Sequence, residues 1–133
     1  MLSLFVLMTV SIGFAQEGIK VTIPVDFTIG KQSFSAGNYT IGPLPMSLGI
    51  MLLRNQAGQV LTTIQTNPAE SKDVLGSAKL VFNRYGGCYF LAEIWEAGNE
   101  FGRQLIKSSA EIEMATAYHS PARLVAVSSV SHR

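Results

Sequence analysis

The sequence predicts an all-β fold, a sandwich or barrel-like arrangement of roughly seven or eight strands with one short helix near the C-terminus. Three observations predict it. Residues 20–29 alternate apolar and polar side chains almost without error, which is typical of a half-buried strand. The Gly86-Gly87 pair joins two apolar segments, as in a β-hairpin. Short β-branched segments bounded by Gly, Pro and Asn recur along the chain.

The first 15 residues, MLSLFVLMTVSIGFA, are expected to be a cleaved signal peptide. They carry no charged side chain, and their apolar run of roughly 13 residues is shorter than the ~20 that a membrane-spanning helix needs. Small residues stand at Gly13 and Ala15, and polar Gln16 and Glu17 follow, which is the layout of a cleavage site. The alternatives are an uncleaved anchor and a buried first helix. We therefore expect residues 16–133 to form a single β-rich domain with a periplasmic or extracellular location.

Composition limits the possible partners of the mature chain. The sequence has 133 residues and a net charge of +1, and its basic residues form no cluster. This distribution disfavours nucleic-acid binding and attachment to anionic lipid, and no stable membrane span is expected after cleavage. The single cysteine, Cys88, cannot pair within the chain, so we expect packing rather than disulfides to stabilise the domain.

The segment after the leader is predicted to hold three strands. The first covers residues 20–29, and because Pro24 cannot donate a ladder hydrogen bond, this strand should lie at a sheet edge or carry a bulge. Gly30-Lys31 then turns the chain. Short strands are predicted at residues 32–34 and 38–41.

The middle of the chain alternates strand and turn signals. Residues 48–54 are strongly apolar, which favours a central strand. Residues 55–58 form a turn cluster, and residues 59–66 resume as a strand rich in β-branched side chains. Residues 67–77 are the longest polar segment, predicted as a loop that is either mobile or part of a binding rim.

A central hairpin is predicted from residues 79–85 and 88–96, joined by Gly86-Gly87 in a type I′ turn. The expected cross-strand pairs are Tyr85 with Cys88, Arg84 with Tyr89, Asn83 with Phe90 and Phe82 with Leu91. Strict alternation places on one face Val81, Phe90, Ala92 and Ile94. It places on the other face Leu80, Phe82, Leu91 and Trp95. Both faces are apolar, so the hairpin should be covered on each side.

The C-terminal part is predicted to contain the helix and a last strand. Ser108 and Glu111 stand at the N-cap and N3 positions of a capping box, so a helix is expected from Ser109 to about Tyr118. A strand is the rival interpretation, because Ile112, Met114 and Tyr118 also fit a period of two. Residues 124–130 are predicted as the final strand.

Three segments, VTIPVDFTIGKQSFSAGNYTI, KLVFNRYGGCYFLAEIW and SSAEIEMA, also carry a family resemblance. The chain resembles a family of small exported bacterial proteins of uncharacterised function that open with an IPFDFxVG…LPAGxYxV segment. Val25 stands where that pattern has Phe, and Ser35 where it has Pro. The shared motifs are strand, turn and hairpin signals, so the resemblance implies export and a β-fold and brings no catalytic residue.

Candidate metal and nucleophile sites are weak. A zinc site needs three or four ligands at close range, whereas Cys88, His119 and His132 are isolated from one another in sequence. We predict no metal, no cofactor and no catalytic residue. Cys88 is expected to behave as a small hydrophobe, although a position near the hairpin tip could allow an intermolecular disulfide and hence a dimer.

The hairpin holds the residues most suited to contact a ligand or partner: Tyr85, Tyr89, Trp95 and Glu93. Exposed rings would stack on sugars or bind a partner, whereas buried rings would belong to the core. Glu93 is expected to be partly buried and either to act in glycoside hydrolysis with a second carboxylate or to pair with Arg84 or another cation.

The function that these observations favour is an exported, non-enzymatic binding or structural module. Its partner would be an unknown protein, a glycan or a small apolar ligand. One alternative is a carrier of a small apolar molecule, with a barrel cavity lined by residues such as Phe82, Leu91 and Trp95. The other is a small hydrolase, in which a cleft would hold at least two convergent polar groups that include Glu93 or His119.

Overall fold

The computed structural model describes residues 18–47, 49–70, 78–96, 98, 101–118 and 122–127. Within those residues the fold is all-β and sandwich-like, with one short helix near the C-terminus, as predicted, and the sheet is not closed. The elements are β1 (Ile19–Ile23), β2 (Phe27–Ile29), β3 (Gln32–Phe34), β4 (Gly37–Pro43), β5 (Ile50–Asn55), β6 (Val60–Glu70), β7 (Lys79–Tyr85), β8 (Cys88–Trp95), β9 (Phe101–Leu105), α1 (Ser109–Ala117) and β10 (Ala122–Val127).

The strands form two layers that share the long strand β6. The first layer has the order β1-β4-β5-β6, and the second runs from β6 through β9 and β8 to β7 and β10, with β2 and β3 beside β8. Strand β6 pairs with β5 up to Gln65 and with β9 from Thr66 onward. Residues 67–70 therefore belong to a strand, although the polar composition of residues 67–77 led us to expect a loop. Residues 71–77 of that expected loop lie outside the described residues.

The inner faces of the two layers pack into one core. Phe27 of β2 joins them: its ring centroid lies 5.2 Å from that of Tyr39 in β4 and 5.7 Å from that of Phe82 in β7. The other core side chains come from β1, β4, β5, β6, β7 and β8, and include Val21, Ile23, Ile41, Leu53, Ile64, Leu80, Leu91 and Ile94. Burial of this apolar set is the main stabilising contribution that the fold offers.

The predicted strand over residues 20–29 is wrong as a single element. It divides into β1, an edge strand of the first layer, and β2 in the second layer. Pro24 cannot continue the ladder, so the chain crosses between the layers at residues 24–26. The expected alternation continues across the break, because Val21, Ile23, Phe27 and Ile29 are all buried. This division and the unexpected strand β9 account for ten strands in the described residues instead of seven or eight.

The hairpin of β7 and β8 has the predicted register, with Tyr85 opposite Cys88 and Asn83 opposite Phe90. The turn type differs from the prediction. A type I′ turn needs a positive φ at both central residues, whereas here Gly86 has φ 61° and Gly87 is not positive. This is the type II′ pattern, the other turn that matches the twist of the strands.

A β-bulge in β8 changes the face on which the hairpin's last residues lie. Val81 is opposite Glu93 and Phe82 is opposite Leu91, so Ala92 is the additional residue. A bulge shifts the alternation of side chains beyond it by one position. Strict alternation in the sequence could not reveal this shift.

Two predicted face assignments are therefore wrong. Ile94 lies opposite Leu80 in the core, and not on the face of Val81. Trp95 lies instead on the face that holds Val81 and Glu93 and points away from the core, which we call the second face of the hairpin. The hairpin is covered on both sides, as predicted, because α1 crosses this second face and Tyr118 reaches the turn at Gly86.

The C-terminal elements agree with the helical interpretation of residues 109–118. Helix α1 ends at Ala117, with Tyr118 as the C-cap residue. The last strand, β10, begins at Ala122 and pairs with β7; residues 128–130 of the predicted strand lie outside the described residues. No helix among the described residues is long and apolar enough to span a membrane.

Candidate functional site: a polar cavity beneath the helix

A cavity of about 130 Å³ lies where the start of α1 meets the second face of β7, β8, β9 and β10. We call it the polar cavity. Six of its lining side chains are polar or charged: Asn83, Glu93, Gln104, Lys107, Glu111 and Arg123. Ala92 and Leu105 complete the lining.

Strand pairing brings these side chains together from distant parts of the sequence. Asn83 of β7 is opposite Arg123 of β10, and Glu93 of β8 is opposite Gln104 of β9. Residues that face each other in an antiparallel pair project on the same side of the sheet. The bulge at Ala92 is what places Glu93 on this side.

Glu111 fastens α1 to the sheet. Ser108 is the N-cap, as predicted, and its Oγ accepts a hydrogen bond from the backbone N–H of Glu111 at 3.2 Å. The carboxylate does not complete the expected capping box. Instead its Oε2 accepts from Tyr85 Oη at 2.9 Å and from Asn83 Nδ2 at 3.0 Å. Glu111 is the buried residue of α1, so a polar group rather than an apolar stripe anchors the helix.

Tyr85 is held in its protonated form. Its side chain is 1% exposed. Burial, and then the hydrogen bond to Glu111 and the charge of that carboxylate, raise the pKa of Tyr85 to about 12, against a smaller lowering by Asn83. Its hydroxyl is therefore a hydrogen-bond donor throughout the neutral range.

The side-chain oxygen of Asn83 is a hydrogen-bond acceptor that receives no hydrogen bond from the described residues. Its side chain is 6% exposed, and its amide nitrogen is used by Glu111. That bond fixes the amide orientation, because an oxygen turned toward the carboxylate would be repelled. Asn83 Oδ1 is buried, and no group among the described residues donates a hydrogen bond to it. A buried acceptor without a donor is rare in folded proteins and requires an explanation.

Both carboxylate oxygens of Glu93 have a partner. Its Oε1 accepts from Trp95 Nε1 at 2.9 Å, and its Oε2 pairs with Arg123 Nη1 at 2.7 Å. Of the two predicted pairings, the one with another cation is therefore present. Arg84 instead donates its Nε–H to the Gly86 carbonyl.

The two carboxylates of the cavity differ in charge compensation. Glu93 is neutralised by Arg123, which is the only ion pair that joins two described residues. Glu111 is 4% exposed and is held by the neutral donors Tyr85 and Asn83. A buried carboxylate without a cationic partner is costly. The lining as a whole is balanced, with Lys107 as its second cation, but the buried Glu111 carboxylate has only neutral hydrogen-bond donors and lies beside a free acceptor.

Three of the four predicted contact residues belong to this network. Tyr85 and Trp95 are buried, at 1% and 6% exposure, and act through their bonds to the two carboxylates. Tyr89 is half-buried against the core, with the Arg84 guanidinium 5.7 Å from its ring centroid. A contact of any of the four with a partner stays a prediction.

Asn83 and Glu111 were not predicted as site residues. The position of Glu111 in the sequence indicated only a helix cap. Its carboxylate points toward β7 because α1 packs on the sheet, and the local sequence does not encode that packing. The sequence did contain a signal for Asn83, because this amide directly follows the apolar residues Leu80, Val81 and Phe82 in β7.

The remaining candidate sites show no cluster of metal-ligating side chains in the part of the chain that the structure describes. No group of three or more His, Cys, Asp or Glu side chains occurs there, and His119 and His132 lie outside it. Cys88 is free and exposed at the start of β8. Phe82 and Leu91, named for the carrier alternative, are packed in the core at 0% and 2% exposure.

Comparison of the chain with protein-family models, curated proteins and solved structures finds no match. The resemblance to the small exported bacterial family therefore stays a prediction.

Proposed function

We propose that the chain is an exported, non-enzymatic binding module of the periplasm or cell exterior, and that the polar cavity is its binding site. The observation that supports this proposal is the buried Asn83 Oδ1, which has no donor and lines the same cavity as the uncompensated Glu111 carboxylate. Leaving such an acceptor unsatisfied costs about 1–3 kcal/mol. A ligand that supplies donors recovers this free energy on binding.

Catalysis by the two carboxylates is the second candidate, because Glu93 and Glu111 line one cavity. Glycoside hydrolysis needs one carboxylic acid and one carboxylate that both reach the scissile bond. Both oxygens of Glu93 are occupied by Trp95 and Arg123. The cavity volume of about 130 Å³ is also below the roughly 300 Å³ of ordinary small-molecule pockets. These contacts favour binding of a small group over turnover.

Native mass spectrometry of the protein exported by a bacterial host tests the proposal. We expect a mass that lacks residues 1–15 and a small polar molecule that dissociates on activation. A panel of chromogenic glycosides and esters should give no turnover above that of the Glu111→Gln variant. Retention of the leader, an apolar ligand in the complex, or turnover that Glu111→Gln abolishes would each contradict the proposal.

A further inference from the structure

We infer that the polar cavity takes a primary ammonium group, either of a small free amine or of a lysine side chain on a partner. This inference rests on the proposed binding function and specifies its ligand. Three properties of the cavity lead to it: the negative charge at its buried end, the type of hydrogen-bonding group left free, and the volume.

The charge selects a cation. Arg123 neutralises Glu93, whereas the buried Glu111 carboxylate has only neutral donors among the described residues. At the buried end of the cavity an anion would meet this carboxylate and the free Asn83 oxygen, and both would repel it; the two cations of the lining, Lys107 and Arg123, are exposed. A cation gains attraction that is strengthened by the low local dielectric.

The free hydrogen-bonding group selects a donor. Asn83 Oδ1 can only accept, and it is more than nine-tenths buried. An ammonium group offers three N–H donors and no acceptor, so it can donate to Asn83 Oδ1 and to Glu111 at once. A quaternary ammonium carries the same charge but has no N–H to donate.

The volume limits the size of the group. About 130 Å³ corresponds to roughly four water-sized groups at about 30 Å³ each. This space accommodates an ammonium group with a short carbon stem and is smaller than an enclosed sugar ring requires. Ca²⁺ fits less well, because it takes about six to eight oxygen ligands, while Arg123 already occupies Glu93.

Lys107 is the competitor within the chain. It lines the cavity and is exposed, and its ammonium group is carried on a flexible four-carbon stem. If Lys107 visits the cavity, an external amine must displace it. The variant Lys107→Gln should then bind an external amine more tightly than the wild-type chain.

The test is an NMR titration of the ¹⁵N-labelled mature chain with methylammonium, tetramethylammonium, acetamide and acetate. Two resonances report on the cavity: the indole N–H of Trp95, the chain's single tryptophan, and the side-chain amide of Asn83. For a ligand this small we expect a Kd on the order of 10 mM for methylammonium. Tetramethylammonium should bind at least about tenfold more weakly, which corresponds to one lost charge-assisted hydrogen bond.

The matched variants are Glu111→Gln and Glu113→Gln, which remove the same charge from the same helix. Glu111 lines the cavity, whereas Glu113 is exposed and does not. We expect methylammonium binding to weaken about tenfold or more in Glu111→Gln and to stay unchanged in Glu113→Gln. If Glu111→Gln does not fold, the comparison of the two ammonium ions on the wild-type chain still decides the question.

A further arm separates the two sources of the ammonium group. A lysine tripeptide that binds more tightly than methylammonium, and loses this advantage on Nε-acetylation, indicates a protein partner; equal or weaker binding indicates a free amine. Equal shifts with methylammonium and tetramethylammonium, or saturable binding of acetate or acetamide alone, would overturn the ammonium assignment while leaving a binding site. If none of the probes shifts either resonance, both the assignment and the proposed function fail.

Discussion

Replacing Gly102 by alanine should displace Trp95 and disturb its hydrogen bond to Glu93, which lines the polar cavity. Gly102 of β9 lies opposite Trp95 of β8. A Cβ at this position would lie 2.7 Å from Trp95 Cδ2 and 2.8 Å from the Ile94 carbonyl oxygen, distances that real Cβ atoms do not adopt. Because Trp95 is 6% exposed, movement of its ring disturbs the residues packed around it.

The expected cost of Gly102→Ala has two parts. Overpacking of a buried site costs about 1–3 kcal/mol. Rotation of the ring also strains or breaks the bond from Trp95 Nε1 to Glu93 Oε1, and a hydrogen bond to a charged group contributes about 1.5–3 kcal/mol. Because both parts act through the Trp95 ring, they do not add in full, and we expect the free energy of unfolding to fall by about 2–4 kcal/mol.

Urea denaturation followed by circular dichroism measures this change, and the emission of Trp95 reports the displacement directly. We expect a red-shifted native spectrum in Gly102→Ala. Gly87→Ala is the control, because a Cβ there meets no atom within 4 Å, and it should change stability by less than about 0.5 kcal/mol. If Gly102→Ala behaved like this control, with an unshifted spectrum, the packing of Trp95 against β9 would be refuted.

Three other outcomes follow from the geometry. Gly86→Ala should lower the free energy of unfolding, measured by urea denaturation, by about 1–2 kcal/mol. Gly86 has φ 61°, and an added Cβ would lie 2.8 Å from Tyr118 Oη. Equal effects of Gly86→Ala and Gly87→Ala would exclude a type II′ turn. Tyr85 should lower the stability between pH 10 and about 12 by about 1.4 kcal/mol per pH unit, because it ionises first in the unfolded chain. Tyr85→Phe should remove this contribution and leave that of Tyr39, whose pKa is also raised by burial and by the charge of Asp26; an unchanged slope would contradict the burial of the Tyr85 hydroxyl. Cys88 is exposed, so one thiol per chain should react with a chromogenic disulfide without denaturant, and a protected thiol would contradict this exposure.

Much of the fold could be predicted from the sequence because local pattern and tertiary pairing agree there. The hairpin register followed from two glycines between apolar segments, and the helix from the Ser108 cap. The wrong predictions have specific physical causes. Pro24 ended a strand and sent the chain to the other layer, and the bulge at Ala92 reversed the alternation that had placed Ile94 and Trp95. Both events are decided by packing between layers, which period-two alternation does not contain.

The candidate site could be predicted only in part. Glu93, Tyr85 and Trp95 were singled out for their chemistry, and the structure connects them through hydrogen bonds. The predicted contacts did not include Asn83 and Glu111, which come together across 28 residues of sequence. A helix that offers only one buried residue gives no amphipathic stripe from which its docking face could be predicted.

A double-mutant cycle between Tyr85→Phe and Glu111→Ala tests most directly whether the Glu111 carboxylate turns inward to form the cavity, because alanine leaves no acceptor for the Tyr85 hydroxyl. Each single variant and the double variant are compared by urea denaturation, and the non-additive part of the stability change isolates the contact. The 2.9 Å bond from Tyr85 Oη to Glu111 Oε2 predicts a coupling energy of about 1–3 kcal/mol. Strictly additive effects would contradict the account, because Glu111 would then not be bonded to Tyr85 beneath the helix.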